Sequence, residues 1–594
     1  MIFLQSVTEC LRTRAREAVR SAILGATKLS RGWAEMFTPR FLLVGLLFTI
    51  CLLWARPAGA QTFGCTPAMV NDIVCENSKP GNPGPDWQIS GSGDATIQGF
   101  ATDISANQGA TISFKIKTDA KSYSIGIFRL GYYGGMGARH VASVTPSATL
   151  PQTQPGCLTN AVTNLYDCGN WAVSASWQIP TNATSGLYCA VLIRPDTGGA
   201  SQIFFVVRND SSRSAILFQT ADETWQAYNN YGGHSLYGDT GFYLPNRAFK
   251  VSYNRPSNTR NLEAATWLFN AEYPMIRWLE ANGYDISYFT GVDAARSGNL
   301  ILNHQVYLTA GHDEYWSGPH RTNVEAARNA GVNMAFFSGN EVFWKTRWEN
   351  SIDGSNTPYR TLVCYKETLN NAVTDPLNPP TWTGTWRDPR LSPPADGGKP
   401  ENALNGTIFM VNGPGADNTD LSIKVPAVDA QFRFWRNTSI ANLGTGQTAI
   451  LPPGTLGYEW DVDLDNGSRP AGLIDMSSAT YNLTTDLLLD FGGVYGAGTA
   501  THSLTLYRAS SGALVFGAGT VQWSWGLDAN HDGAGGAPDV DMQQATVNLL
   551  ADMSVQPGSL QSGLLFASKS TDTTPPTSSI TAPTNGTTFN SGIS

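Results

Sequence analysis

Charge is what this 594-residue sequence has least of: Asp, Glu, Lys and Arg make up 14% of it, against about a quarter in ordinary globular proteins. The balance is acidic, formally −9, which argues against nucleic acid or an anionic membrane as a partner. Catalytic signatures are missing too. There is no G-x-S-x-G elbow, which excludes the usual esterase triad. There is no H-E-x-x-H, no P-loop, and no G-x-G-x-x-G after a first strand. No C-x-x-C and no Cys/His cluster at zinc spacing occurs, which excludes a structural zinc site. Disorder is excluded by the 41% of apolar residues. Gly and aromatic residues are plentiful, as in β-rich, loop-rich proteins outside the cytoplasm.

Only one run is strongly apolar. Residues 41–53 follow Arg40 and precede Ala58-Gly-Ala60, an A-x-A cleavage pattern before Gln61. The run falls short of the about 20 residues that span a bilayer, so it reads as a secretory signal peptide. The segment before it is long, and a start at Met36 would make the signal conventional. The expected location is therefore secreted, periplasmic or cell-surface, with no membrane contact beyond the export signal. Six cysteines lie outside that segment: Cys65, Cys75, Cys157, Cys168, Cys189 and Cys364. An oxidising compartment permits disulfides, and the sequence-local pairings are Cys65 with Cys75 and Cys157 with Cys168.

The length implies two or three domains. Residues 61–210 carry short alternating β-type runs broken by Gly, Pro, Asn and Ser, the pattern of a β-sandwich, either an accessory or carbohydrate-binding module or a packing domain. From 211 the rhythm changes. Apolar strands at 215–219, 284–290, 305–310 and 332–337 alternate with helices at 272–283 and 320–329, which predicts a doubly wound parallel sheet. Residues 399–566 return to β runs and loops, with a closing helix at 540–553; this α/β domain ends at about 568. Residues 569–594 read as a linker and the start of an immunoglobulin-like module.

In such a sheet, ligands sit beyond the carboxyl ends of the strands. Three polar segments follow strands: 224–237, with Tyr228, Tyr231 and Tyr237; Gly311-His312-Asp313-Glu314; and Ser338-Gly339-Asn340-Glu341. Adjacent strands would bring Tyr, His, Glu and Asn side chains to one rim. Most of the 21 tyrosines are packing residues, and so are Trp316, Trp344, Trp523 and Trp525. Cys364 reads as a buried inert thiol.

These segments, with 321–328, Thr385-Trp386-Arg387-Asp388-Pro389-Arg390 and Gly457-Tyr458-Glu459-Trp460-Asp461, resemble the family of the N,N-dimethylformamidase large (beta) subunit. The resemblance covers most of 214–568. It implies a class I glutamine amidotransferase-like α/β domain with extra β elements. It also implies amide hydrolysis with one iron ion, ferric, held by two tyrosines and a glutamate. Carried onto this sequence, the ligands fall on Glu314, Tyr228 and Tyr237, with Tyr231 and Tyr253 as alternatives for the second tyrosine. His312, Asn340 and Glu459 fall on the surrounding catalytic positions. His312 or Glu459 would shuttle the proton to the leaving amine, and Asn340 would donate to the developing oxyanion.

The leading expectation is thus an exported metal-dependent hydrolase of C–N amide-type bonds. It would act on a small-molecule amide or another extracellular substrate; oligomerisation is left open. The alternative is a non-catalytic secreted or cell-surface binding protein on the same fold. A third reading is glycan hydrolysis with Glu314 and Glu341 as a carboxylate pair.

Overall fold

The computed structural model describes residues 69–237, 246–370, 372–390, 398–413 and 421–572. The chain divides into two compact units, Met1–Gln61 and Thr62–Ser594, and every described residue belongs to the second. The expected signal peptide, Cys65 and the immunoglobulin-like start at 578–594 lie outside the described residues. No helix among the described residues is long and apolar enough to cross a membrane.

Most of the structure is β-sheet, in several sheets with few helices. The first part is two sheets face to face, one of three strands and one of five. Thr111–Thr118 shows why: alternate residues are buried, as the period of two along a strand requires. Ile112, Phe114 and Ile116 face Ile127, Tyr188, Ala190 and Phe205 of the other sheet across one apolar core. Cys157 and Cys168 form a disulfide. Cys75 is also disulfide-bonded, while Cys189 and Cys364 are free and buried.

The second part is built on a seven-stranded sheet. Its order is Ile286–Thr290, Ile216–Thr220, Val306–His312, Asn333–Gly339, Leu514–Gly517, Thr505–Arg508, Ile474–Asp475. The first five strands are parallel, and Thr505–Arg508 runs antiparallel to both of its neighbours. Ile216–Thr220 and Val306–His312 are buried at every residue, because both faces of the sheet are covered. Helices Glu272–Ala281 and Gly318–Asn329 stand where the spacing predicts them. The fifth parallel strand arrives from 514–517, far beyond the alternating βα stretch. The long loop-rich region therefore completes the sheet as well as adding strands of its own.

The chain passes from Ile216–Thr220 to the neighbour on one side, then crosses to Val306–His312 on the other. The carboxyl ends of those two strands diverge, leaving the crevice in which such sheets place ligands. A four-stranded antiparallel sheet, ordered Glu459–Val462, Ile408–Asn412, Ala479–Leu488, Tyr495–His502, supplies the facing wall.

A buried ion pair ties the two parts together. Arg129, on a sandwich strand, donates to Glu280 on the Glu272–Ala281 helix at 2.7 and 2.9 Å, with both side chains fully buried. Tyr288 and Asn77 also donate to Glu280, each at 2.8 Å.

Candidate functional site

Three strand ends build the site. After Ile216–Thr220 the chain enters helix Asp222–Tyr228, whose last residue is Tyr228. Val306–His312 ends on His312, and Glu314 follows two residues on. Thr224 Oγ1 accepts the Glu314 N–H at 3.0 Å, and the Glu314 carbonyl accepts the N–H groups of Phe343 and Trp344, both at 2.9 Å. Asn333–Gly339 ends at Gly339, where a Cβ would stand 2.7 Å from the backbone of Thr520 and Val521; only glycine allows that approach. Asn340 then takes a left-handed φ of 46°, which asparagine tolerates. Its N–H donates to Asp461 Oδ1 at 2.9 Å.

The oxygens of Tyr228, Tyr237 and Glu314 converge. Tyr237 donates to Glu314 at 2.7 Å (Oε1) and 2.9 Å (Oε2), and Tyr228 donates to Glu314 Oε2 at 3.1 Å. The two tyrosine rings stack, with centroids 4.2 Å apart. Tyr231 and Tyr253 are elsewhere: Tyr231 packs edge-on to Tyr166, and Tyr253 donates to Asp222 at 2.9 Å. Burial, then the charges of Glu314 and Tyr237, pushes the Tyr228 phenol well up.

His312 joins this group to Glu459. Its Nε2 is 2.7 Å from Glu459 Oε2 and 3.4 Å from Glu314 Oε2. Its Nδ1 is 3.1 Å from the Tyr458 hydroxyl, which also reaches the Ala265 carbonyl at 3.2 Å. When Tyr458 gives its hydrogen to Ala265, both ring nitrogens donate, as in an imidazolium. Burial pushes His312 down, but Glu459 overrides it and lifts the ring to about 8. Asn340 Nδ2 donates to Glu459 at 2.9 Å. That bond uses one of the two N–H groups of the amide, so it leaves a second donor. Its Oδ1 is buried without a partner.

The six residues singled out in the sequence thus share one hydrogen-bonded cluster. Glu341 does not join it: successive left-handed residues, Asn340 and Val342, turn its carboxylate to Thr309, at 3.1 Å, and to Ser338. It does not line the cavity, so Glu314 and Glu341 are not a facing carboxylate pair. Cys364 is buried, with its thiol pushed up to about 12 by burial, and is inert. Of the four tryptophans, Trp344 lines the cavity. Trp316 stacks on His320, and Trp523 and Trp525 donate to Thr546 and the Asn270 carbonyl in the core.

One neighbour carries no sequence motif. Lys366 Nζ stands 3.3 Å from the centroid of the Tyr237 ring and 4.5 Å from that of Trp344. It is buried without a hydrogen-bond partner, on a residue with φ of 48°. Burial pulls its ammonium down to about 7. A lone lysine in a loop gives no periodic signal; only its left-handed backbone and burial mark it.

Tyr228, Tyr237, Glu314, Asn340 and Glu459 line a cavity of ≈ 280 Å³, together with Glu263, Phe343, Phe409, Tyr495 and Asp486; His312 and Lys366 do not line it. Among the described residues, no three His, Cys, Asp or Glu side chains cluster as a metal site. The tyrosines supply the oxygens such a cluster would lack. Adjacent ligands of an octahedral ion bound at about 2.0–2.1 Å stand about 3 Å apart. Each phenol oxygen stands from the Glu314 carboxylate at about that spacing, and this donor set suits a hard cation.

Sheet, crevice and oxygen-rich cavity define a β-rich protein with its site at the carboxyl ends of a parallel sheet core. The chain belongs to the family described as N,N-dimethylformamidase beta subunit-like, C-terminal, which matches residues 124–535. The match begins in the sandwich, the part that Arg129 ties to the larger sheet. Among curated proteins, none matches the chain.

Proposed function

We propose that this protein is an exported metal-dependent hydrolase of C–N amide bonds, with Tyr228, Tyr237 and Glu314 as the ligands of one iron ion. One observation carries the reading: two phenol oxygens each lie within 3.1 Å of one carboxylate on a cavity also lined by Glu459, the partner of His312. Three hard anionic oxygens suit a ferric ion and balance its charge. Bound there, it would polarise an amide carbonyl and acidify water.

The remaining work falls to the chain. The water oxygen bonds to the carbonyl carbon, the C–N bond breaks, and one water hydrogen ends on the amine nitrogen. Glu459 accepts the proton from water, and His312 delivers one to the departing nitrogen. Asn340 holds Glu459 through its Nδ2, and its free Oδ1 accepts a hydrogen from water or a substrate N–H. Lys366, over the face of Tyr237, stabilises negative charge on that phenol.

Two further parts of the reading belong here. The parallel core with its crossover after Ile286–Thr290 supports a class I glutamine amidotransferase-like sheet. Residues 41–60 and the Cys157–Cys168 disulfide support export, since such bonds persist in oxidising compartments.

The test is iron content, visible absorbance and amine release from a panel of small amides, all on the purified protein. Iron near one per chain, a tyrosinate charge-transfer colour and amine release are expected. A colourless protein that holds no iron after supplementation and releases no amine would leave a binding scaffold instead.

A further inference from the structure

The cavity is acidic beyond what an ion and a His–Glu pair account for. Of the four carboxylates that line it, Glu314 lies with the two tyrosines and Glu459 with His312. Glu263 and Asp486 are left over. Both are half-buried, and neither has a lysine, arginine or histidine partner among the described residues. Asp486 accepts one side-chain hydrogen bond, from Thr485 at 3.0 Å. No lysine or arginine lines the cavity. Residues 238–245 and 414–420, outside the described residues, contain neither type in sequence.

Unpaired carboxylates in a confined space carry a desolvation cost that a bound positive charge offsets. The rest of the wall is suited to the same kind of ligand. Phe343, Phe409, Tyr458 and Tyr495 line it, and aromatic faces attract alkylammonium groups whose hydration is weak. An anionic ligand would meet the two unpaired carboxylates, while the site's cations, His312 and Lys366, do not line the cavity and sit against Glu459, Glu314 and Tyr237. The volume, ≈ 280 Å³, admits a small molecule at the low end of ordinary ligand sites.

We propose that this site takes amides bearing an alkylammonium group, with the ammonium held by Glu263, Asp486 and the aromatic wall while the amide faces Glu314. The assignment rests on the hydrolase reading for its reaction, but not for its binding. Neutral amides of the same shape bind more weakly, and anionic ones are excluded.

The experiment uses an isosteric pair: the N,N-dimethylamide of trimethylammonioacetic acid, and that of 3,3-dimethylbutanoic acid, in which carbon replaces the charged nitrogen. Calorimetry on the full protein reads binding, and amine release reads turnover. The cation is expected to bind at least about tenfold more tightly, a difference of about 1.4 kcal/mol. The double variant Glu263→Gln, Asp486→Asn should bring its affinity down to that of the isostere. Circular dichroism and an unchanged isostere affinity would show that the variant is folded.

Equal binding of the two amides by the wild-type protein overturns the proposal, whether or not either is hydrolysed. A cation preference that survives in the double variant also overturns its assignment to these carboxylates. Preferential binding without amine release from any amide supports the pocket chemistry and removes the hydrolase reading. The two ideas therefore fail separately.

Discussion

Tyr237 donates its phenolic hydrogen to Glu314 at 2.7 Å, although the two residues lie 77 positions apart. The contact joins a loop beyond one parallel strand to the loop beyond its neighbour. Each side chain alone is an ordinary buried polar group. Together with Tyr228 they make a three-oxygen corner, and several expectations follow from its geometry.

On the proposed reading, removing one of the three ligand side chains should remove the ion. Glu314→Ala is expected to lower iron per chain at least about tenfold, the scale on which even supporting residues act on metal affinity. Elemental analysis of matched preparations checks this. Full iron occupancy in the variant would contradict the ligand assignment.

His312→Ala should separate metal from rate. The ring touches Glu459 at 2.7 Å and is not among the three oxygens, so iron content should hold while kcat falls about 10²–10⁴-fold, the usual worth of a proton-transfer group. Loss of iron in step with rate would show a ligand role instead.

Lys366→Met should move a spectrum. Its ammonium lies over the Tyr237 ring at 3.3 Å and lowers the energy of electrons on that phenolate. Without it, the tyrosinate-to-iron charge-transfer band should shift to longer wavelength at unchanged iron content. An unmoved band would show that the lysine acts only by packing.

The Arg129–Glu280 pair sets a stability prediction. Both side chains are fully buried, so Glu280→Gln takes the bidentate partner from the guanidinium and should cost about 3–5 kcal/mol. The double change Arg129→Met, Glu280→Leu should recover only part of that, because it leaves the Tyr288 hydroxyl and the Asn77 amide without the acceptor they share. Denaturant titration measures both. A loss below about 1 kcal/mol in the single variant would show that water reaches the pair.

Asp222 makes stability depend on pH. Burial, outweighing the hydrogen bonds from Gly291 and Tyr253, pushes its carboxyl up to about 7; Asp293 adds to the rise. Because the folded value lies above the unfolded one, near 3.9, the stabilisation is complete below pH 4. It fades as pH rises towards 7. In that window Asp222 contributes a slope of about 1.4 kcal/mol per pH unit. Asp222→Asn keeps the shape of the protonated acid, so the difference in stability between variant and wild type should grow from pH 4 to 7 and then level. A constant difference would refute this.

Much of the site could be read locally. Gly311-His312-Asp313-Glu314 and Ser338-Gly339-Asn340 follow apolar runs, and a parallel strand must present its next residues at the sheet's carboxyl edge. The polar segment 224–237 could be read in the same way, but not the helix that ends at Tyr228. Glu459 was reached through the family resemblance. Lys366, Glu263 and Asp486 were not reached, because single polar residues in loops carry no periodicity. The choice among Tyr231, Tyr237 and Tyr253 was closed to local pattern, since nothing in the residues around any of them shows which phenol turns towards Glu314.

The sequence by itself determined the sandwich strands, the βα alternation from 211 on and the polar strand ends. Those properties follow from hydrophobic period and turn chemistry within about ten residues. Tertiary structure decided the rest. It brought Leu514–Gly517 into the parallel sheet beside Asn333–Gly339, and laid Glu459–Val462 over the crevice. It turned Glu341 into the core while Asn340 faced the cavity. Strand order and facing walls depend on contacts between residues more than a hundred positions apart, and these form only when burial of both faces of the sheet selects one arrangement.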